Sequence, residues 1–144
     1  MYSKILVAVD GSDPSKDALK SAGALSTALS AELHLVHVPQ GVSHVLVAGA
    51  GSIAMPPSPQ ELAEAGAAVL DGAQLDAEAA GVSLASSELV DGDPGHAIVN
   101  HAEKLGADLI IMGRRGLGDF AGLLVGSVTH KVSQLAPCAV LTVK

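Results

Sequence analysis

The chain has 144 residues, nearly half of them apolar, and a formal net charge of −7, so it fits one domain with a single core over residues 1–144. The acidic charge and the near absence of aromatic residues argue against nucleic acid as a partner, because nucleic-acid binders present basic faces and stacking rings. No apolar run approaches the roughly 20 residues that cross a membrane. One cysteine, Cys138, and an N-terminus without a leader pattern predict a cytoplasmic protein.

Short apolar runs alternate with helical patterns along the chain. The runs are continuous in apolar residues, which predicts strands covered on both faces, at Lys4–Asp10, Glu32–Val38, Val82–Val90, Ala107–Met112 and Cys138–Val143. Capping signals, prolines and helical spacing predict helices at Pro14–Ala31, Pro59–Ala80, Pro94–Leu105 and Ser127–Ala136, the last capped by Ser127. This order predicts an α/β fold, a single doubly wound five-stranded parallel sheet with helices on both faces.

Residues 39–58 are rich in glycine and proline and show no clear period, so we expect a mobile loop or lid there. Residues 45–54 within it imitate a dinucleotide-binding fingerprint, G-x-G-x-x-A after a strand. That mechanism requires a helix directly after the glycines. Pro56 and Pro57 disfavour such a helix, and we set this interpretation aside.

The segment after the fourth predicted strand carries the strongest chemical signal. Five glycines precede a predicted helix start at Ser127, namely Gly113, Gly116, Gly118, Gly122 and Gly126. Glycines let backbone N–H groups approach a ligand, and the free N–H groups of a helix start bind anions. The pattern predicts a phosphate cradle, and the alternative is a structural loop that uses glycine only to turn.

The spacing Gly113-x2-Gly116-x9-Gly126-Ser127 is similar to the G-x2-G-x9-G-[S/T] motif of ATP-binding universal stress proteins. Further stretches that resemble this family are Val9–Ser12, Gly92–Pro94 and Ala136–Leu141. The likeness covers nearly the whole chain and is weakest over residues 40–58. It implies a Rossmann-like, adenine nucleotide alpha-hydrolase-like fold. It also implies a site for ATP, or for ADP, AMP or a cyclic nucleotide, at the carboxyl ends of the strands.

The resemblance implies roles for residues where the motifs match. Asp10 would lie against the nucleoside, and the backbone of Val38 would read the adenine edge. The other implied site residues would flank base, ribose and phosphates, and they are Met112, Gly113, Arg115, Gly116, Gly126, Ser127 and Val128. A divalent ion such as Mg, held by the phosphates, would lie near Ser127. From the residues alone, the alternative for Asp10 is a turn or helix-cap residue, and Met112 is equally a core residue. A solvated loop position is the default for at least one of Arg114 and Arg115.

The sequence contains no P-loop lysine, no kinase loops and no obvious second carboxylate near the glycine-rich segment. We therefore expect a nucleotide-binding module for stress response or signalling, with at most slow ATP hydrolysis. The alternatives are a true ATPase or phosphatase, and a structural partner domain whose site stays empty. We expect no metal site made by protein alone, since His34 and His37 point to opposite faces of a strand. The resemblance implies a homodimer through the apolar last strand, Cys138–Val143.

Overall fold

A computed structural model describes residues 1–41, 44–49, 51–117 and 125–144. Its strands are β1 (Lys4–Ala8), β2 (Glu32–His37), β3 (His44–Ala48), β4 (Gly51–Met55), β5 (Ser86–Leu89), β6 (Leu109–Gly113) and β7 (Ala139–Val143). Its helices are α1 (Asp13–Leu29), α2 (Pro59–Ala79), α3 (Pro94–Leu105) and α4 (Ser127–Leu135). Five parallel strands form one sheet in the order β5-β2-β1-β6-β7, which confirms the predicted fold. The strand order reverses between β1 and β6, and a crevice is expected there.

The sheet is buried on both faces because most residues of its central strands are apolar on either side. Ile5 and Val7 of β1 pack against α1 and α2 in one core cluster. Leu6 and Ala8 of the same strand pack against α3 and α4 in a second cluster. Both clusters are built almost entirely from aliphatic side chains, as the near absence of aromatic residues requires. No described helix is long and apolar enough to cross a membrane.

One predicted strand is shorter than its apolar run. β5 begins at Ser86 rather than at Val82. The Val82 N–H donates to the Ala77 carbonyl at 2.9 Å, immediately after Gly81 with φ +69°. Val82 therefore belongs to the left-handed end of α2, and its side chain packs on the core from there.

The first two strands also stop earlier than predicted, before Val9 and Val38. The Val9 N–H still donates to the Val36 carbonyl at 3.0 Å. The Val9 carbonyl accepts a hydrogen bond from Nδ1 of the His37 ring at 2.7 Å. A side chain therefore occupies the carbonyl that would continue the backbone hydrogen bonding between the two strands. The remaining strand and helix bounds agree with the prediction within one or two residues.

The segment 39–58 contains regular structure where we expected a loop. β3 and β4 form an antiparallel hairpin that is separate from the main sheet. Gly51 begins a strand, so no helix follows the glycines of the apparent dinucleotide fingerprint. Every residue of β4 is exposed. Residues 42, 43 and 50 lie outside the described residues, and the mobility of the segment stays a prediction.

Asp108, just before β6, ties the start of β1 to the sheet. Its Oδ2 accepts hydrogen bonds from the Ser3 N–H at 2.8 Å, the Ser3 hydroxyl at 2.7 Å and the Lys4 N–H at 2.9 Å. The Ser3 hydroxyl, followed by the two backbone donors, lowers the pKa of Asp108 to about 2 from 3.8. The carboxylate therefore stabilises the folded state in its ionised form.

We expect Asp108→Asn to lower the free energy of unfolding at neutral pH, because a neutral amide is a weaker acceptor for these three donors. A depressed folded pKa gives stability that is complete above the unfolded value and is lost as the pH falls through the folded one. The difference between wild type and variant should therefore shrink between about pH 4 and pH 2. Urea unfolding across this range measures it. Asp71→Asn, at an exposed position of α2, is the control, and an equal pH trend in both variants would contradict the assignment.

Candidate functional site

A cavity of about 660 Å³ opens at the carboxyl edge of the sheet, over the ends of β1, β2 and β6. The first turns of α3 and α4 and one face of α2 complete its walls, through residues such as Pro94, Ser127 and Leu62. It lies at the position where the strand order reverses, as the doubly wound topology predicts for a ligand. A volume of this size accommodates a small-molecule ligand.

One end of the cavity is formed by the N-terminus of α4. Gly126 is the N-cap, with φ −67° and ψ 155°, and Ser127 is the first helical residue, so the prediction that Ser127 caps this helix is wrong. Side chains cap the other helices, with Ser12 on α1, Ser58 on α2 and Asp93 on α3. Among the described residues α4 alone has no side-chain cap. The first turn of α4 is therefore a candidate anion site at this edge of the sheet.

Asp10 links two walls of the cavity. Its Oδ1 accepts a hydrogen bond from the Ser12 N–H at 2.9 Å, which forms a turn at the end of β1. Its Oδ2 accepts from the Leu117 N–H at 3.2 Å, in the segment that follows β6. Asp10 is therefore in part a turn residue, which was one of the two interpretations of the sequence. Its second hydrogen bond joins the loop after β1 to the segment after β6, on the two sides of the point where the strand order reverses.

Gly113, the last residue of β6, is a glycine for reasons of packing. A Cβ at this position would lie 2.9 Å from the Pro14 carbonyl carbon and 3.1 Å from the Arg115 carbonyl oxygen. The Gly113 carbonyl also accepts a hydrogen bond from the buried Thr129 hydroxyl at 2.9 Å. Thr129 thereby fixes the first turn of α4 against the end of β6.

The start of α3 is held beside α4 by a charged pair. Asp93 accepts hydrogen bonds from the His96 N–H at 3.1 Å and from Lys131 Nζ on α4 at 3.1 Å. The His96 backbone N–H, ahead of the His96 ring and Lys131, lowers the pKa of Asp93 to about 2. The Lys131 stem lies over Gly95, where a Cβ would approach it to within 2.4 Å. This contact sets the separation of α3 and α4 at the cavity wall.

The opposite end of the cavity is apolar. The residues of α2 that line it are Leu62, Ala65, Gly66 and Val69. Gly66 packs so closely that a Cβ would lie 2.6 Å from Pro39, which keeps α2 against the end of β2. Asp10 and Arg115 are the charged residues among the described lining positions. The cavity thus has a polar end at α4 and an apolar end at α2, which suits a ligand with an anionic part and a flat neutral part.

The structure brings together every site residue that the sequence predicted, because all of them line this one cavity: Asp10, Val38, Met112, Gly113, Arg115, Gly116, Gly126, Ser127 and Val128. Gly118 and Gly122 of the glycine-rich segment lie outside the described residues. The sequence interpretation missed His37 and Thr129, which line the cavity from a strand and a helix. A hydroxyl residue two positions into α4 was a visible signal for Thr129. The hydrogen bond from the His37 ring to the Val9 carbonyl cannot be inferred from the spacing of residues in the sequence.

Other reactive side chains lie apart from one another. His34 pairs with the Ser86 hydroxyl at 2.8 Å on the face of the sheet opposite to His37. Burial raises the pKa of the Cys138 thiol, which is consistent with a small core residue at the start of the last strand. Within the described part of the chain, no three His, Cys, Asp or Glu side chains group in a way that could hold a metal ion.

Comparison with known proteins agrees with this architecture. The family model described as the universal stress protein family matches residues 1–144. Universal stress protein YxiE of Bacillus subtilis is 37% identical over 149 aligned residues, with 100% of both chains covered. A solved universal stress protein in complex with cAMP is 32% identical, with a TM-score of 0.72 over 99% of this chain and 97% of that one. Universal stress protein UspA from Lactobacillus plantarum is 26% identical, with a TM-score of 0.75 over 99% and 98% of the two chains.

Both the family model and the relative from Bacillus subtilis extend over the full length of the chain, and their matches include the strand ends and helix starts that form the cavity. The chain belongs to the universal stress protein family.

Proposed function

We propose that this chain binds an adenine nucleotide, ATP in particular, in the cavity at the carboxyl edge of the sheet. The observation that carries the proposal is the N-terminus of α4, whose N-cap residue Gly126 provides no side-chain cap, at one end of a cavity whose other end is apolar. The phosphates would lie on the first turn of α4, near Gly126, Ser127 and Val128. The base would lie toward β2 and α2. The related universal stress protein in complex with cAMP supports an adenine nucleotide as the ligand class.

Most of the remaining assignments follow from this orientation. The ribose would lie above the end of β6, beside Met112, Gly113 and Asp10, with Arg115 and Gly116 toward the phosphates. The buried Met112 replaces the aromatic ring that many base pockets use. A divalent ion such as Mg would enter with the phosphates of ATP near Ser127. Among the described lining residues, Arg115, Gly116 and Ser127 provide donors at the polar end that fit an anionic ligand.

We propose binding for signalling or stress response rather than rapid turnover. Asp10 is the single carboxylate among the described residues that line the cavity, and both of its oxygens accept hydrogen bonds from the protein. A general base that positions water would need an available carboxylate or imidazole near the terminal phosphate. Hydrolysis, where it occurs, is therefore expected to be slow, and steady-state phosphate release measures it.

Gly126→Val should abolish binding of Mg-ATP while the fold remains intact. The extended backbone of Gly126 is one that valine readily adopts, and its added side chain would fill the polar end of the cavity. For wild type, about 2.7 kcal/mol of stabilisation is expected at a hundredfold excess of ligand over Kd. Thermal unfolding with and without Mg-ATP measures it.

Two further variants make this test specific. Ser127→Ala should weaken binding by only about 1 kcal/mol, since one hydroxyl contact is lost and no helix cap. Gly72→Val, where the added Cβ meets open space on α2, should respond to Mg-ATP as wild type does. Equal stabilisation of wild type and Gly126→Val by Mg-ATP would show that this helix start does not hold the phosphates.

We also propose that the hairpin of β3 and β4 is mobile without ligand and partly ordered by nucleotide. The hairpin is joined to the domain near Gly41 and Pro57, where a Cβ on the glycine would lie 2.8 Å from the proline ring. Pro39, Gln40 and Gly41 at its base line the cavity. A two-stranded hairpin alone is marginally stable in water.

Amide hydrogen exchange should therefore be fast in β3 and β4 of the nucleotide-free protein and slower with a saturating nucleotide. The contact of the ligand with Pro39 and Gln40 is the expected cause. The amides of β1, which are buried in both states, serve as the internal control. An unchanged exchange rate in the hairpin on saturation would contradict the proposed coupling, while the proposed site would stand on its own evidence.

The third part of the proposal is a homodimer through β7, which lies at one edge of the main sheet. Its residues are apolar except for Thr142, and Leu141 is 38% exposed. The Arg114 N–H donates to the Val143 carbonyl at 2.6 Å, so odd-numbered residues of β7 bond to β6. The backbone groups of Val140 and Thr142 face outward, which is a template for a second strand.

Thr142→Pro should convert the dimer to a monomer, because proline removes an outward N–H without breaking a bond to β6. Thr142→Val keeps the N–H and should remain dimeric. Light scattering at tens of micromolar protein distinguishes the two states. A monomeric wild type, or a Thr142→Pro variant that stays dimeric, would contradict pairing through this edge.

A further inference from the structure

His37 occupies an unusual position at the end of β2. The residue is 7% exposed and lines the cavity, and its side chain lies on the same face of the strand as Leu35. Nδ1 lies 2.7 Å from the Val9 carbonyl oxygen. Because a carbonyl can only accept, Nδ1 carries the proton of this hydrogen bond. The ring is therefore held in one orientation beside the end of β1.

This bond replaces one that the sheet would otherwise form. The Val9 N–H donates to the Val36 carbonyl at 3.0 Å. In a parallel ladder the next bond would run from the Val38 N–H to the Val9 carbonyl. No such bond forms, and neither the N–H nor the carbonyl of Val38 has a partner among the described residues. The His37 ring takes the carbonyl that would have accepted the Val38 amide.

The consequence is a buried backbone amide without a partner. Val38 is 6% exposed and lines the cavity beside His37. Buried N–H groups are almost always hydrogen-bonded, and an unpaired one is unfavourable until a ligand or water supplies the acceptor. An N–H and a carbonyl on one residue form an adjacent donor and acceptor. Their complement is a heterocycle with a ring nitrogen acceptor next to an amino group.

We propose that His37 is a positioning residue that keeps the Val38 amide available for the base. The proposal rests on the proposed nucleotide function and explains how that site selects its base. Adenine presents an unprotonated N1 beside a 6-amino group, which matches the donor and acceptor of Val38. Hypoxanthine presents an N1–H beside a 6-oxo group, which places donor against donor. The ring of His37 contributes by occupying the Val9 carbonyl.

Exchange of the Val38 amide tests the free protein directly. In nucleotide-free wild type this amide should exchange much faster than the Val9 amide, which is bonded to Val36. In His37→Leu the Val9 carbonyl loses the ring donor, and the Val38 N–H should extend the ladder and become protected. His37→Asn is the matched control, since its amide nitrogen can replace Nδ1 as the donor to Val9. NMR of labelled protein resolves these amides individually.

Ligand preference gives a second readout that a merely structural role would not change. Wild type should bind AMP more tightly than inosine monophosphate. His37→Leu should lose about tenfold of that preference, the equivalent of one hydrogen bond, and His37→Asn should keep it. The thermal midpoints of the free variants establish that each is folded.

The outcomes separate the two proposals. If wild type binds neither AMP nor ATP, the proposed function fails, whatever the exchange data show. If wild type prefers AMP and His37→Leu keeps that preference, nucleotide binding stands and the role of His37 is overturned. A Val38 amide that is as protected as Val9 in free wild type also overturns it, and this measurement requires no variant.

Discussion

The geometry of the cavity depends on one backbone hydrogen bond, from the Gly126 N–H to the Arg114 carbonyl at 2.8 Å. It returns the chain to the end of β6 just before α4 begins. The Arg114 N–H in turn donates to the Val143 carbonyl, so the same residue fixes β7. The Thr129 hydroxyl adds a bond to the Gly113 carbonyl at 2.9 Å. The N-terminus of α4 is therefore anchored to the sheet on both sides and opens toward the strand ends.

This anchoring matters because the protein as a whole is acidic, with a formal charge of −7. An anionic ligand needs a local field that opposes this charge. At the starts of the other helices, the side chains of Ser12, Ser58 and Asp93 accept hydrogen bonds from first-turn N–H groups. The N-cap of α4 is Gly126, which has no side chain to cap the helix, so this N-terminus is the candidate site for an anionic ligand. The placement of caps thus favours the start of α4 as the candidate anion site.

Much of this was accessible from the sequence. Continuous apolar strands separated by capped helices predicted the sheet, because period and capping are local properties of the chain. Strand ends and a motif predicted residues that line one cavity, since the topology brings strand ends together whatever the loops do. Ser127 was wrongly predicted to be the N-cap because the N-cap and the first helical position are adjacent in the sequence. A hydroxyl residue alone does not show which of the two positions it occupies. The hairpin at 44–55 was missed because its pairing depends on a turn at Gly49, with φ +64°, inside a segment without period.

The hydrogen bond of His37 could not be predicted for a different reason. The residue pattern of the predicted strand Glu32–Val38 contains no sign that the hydrogen bonds between β1 and β2 stop one residue before its end. That stop arises from a side chain that competes with a backbone amide for one carbonyl, and such competition is decided by three-dimensional proximity. A chain with almost no aromatic residues has few side chains with which to stack or sandwich a base. Recognition of a base would then depend on backbone groups, which a sheet satisfies internally unless something interrupts the pairing. At the end of β2 the interruption is His37, and the unpaired Val38 amide beside the cavity is its direct result.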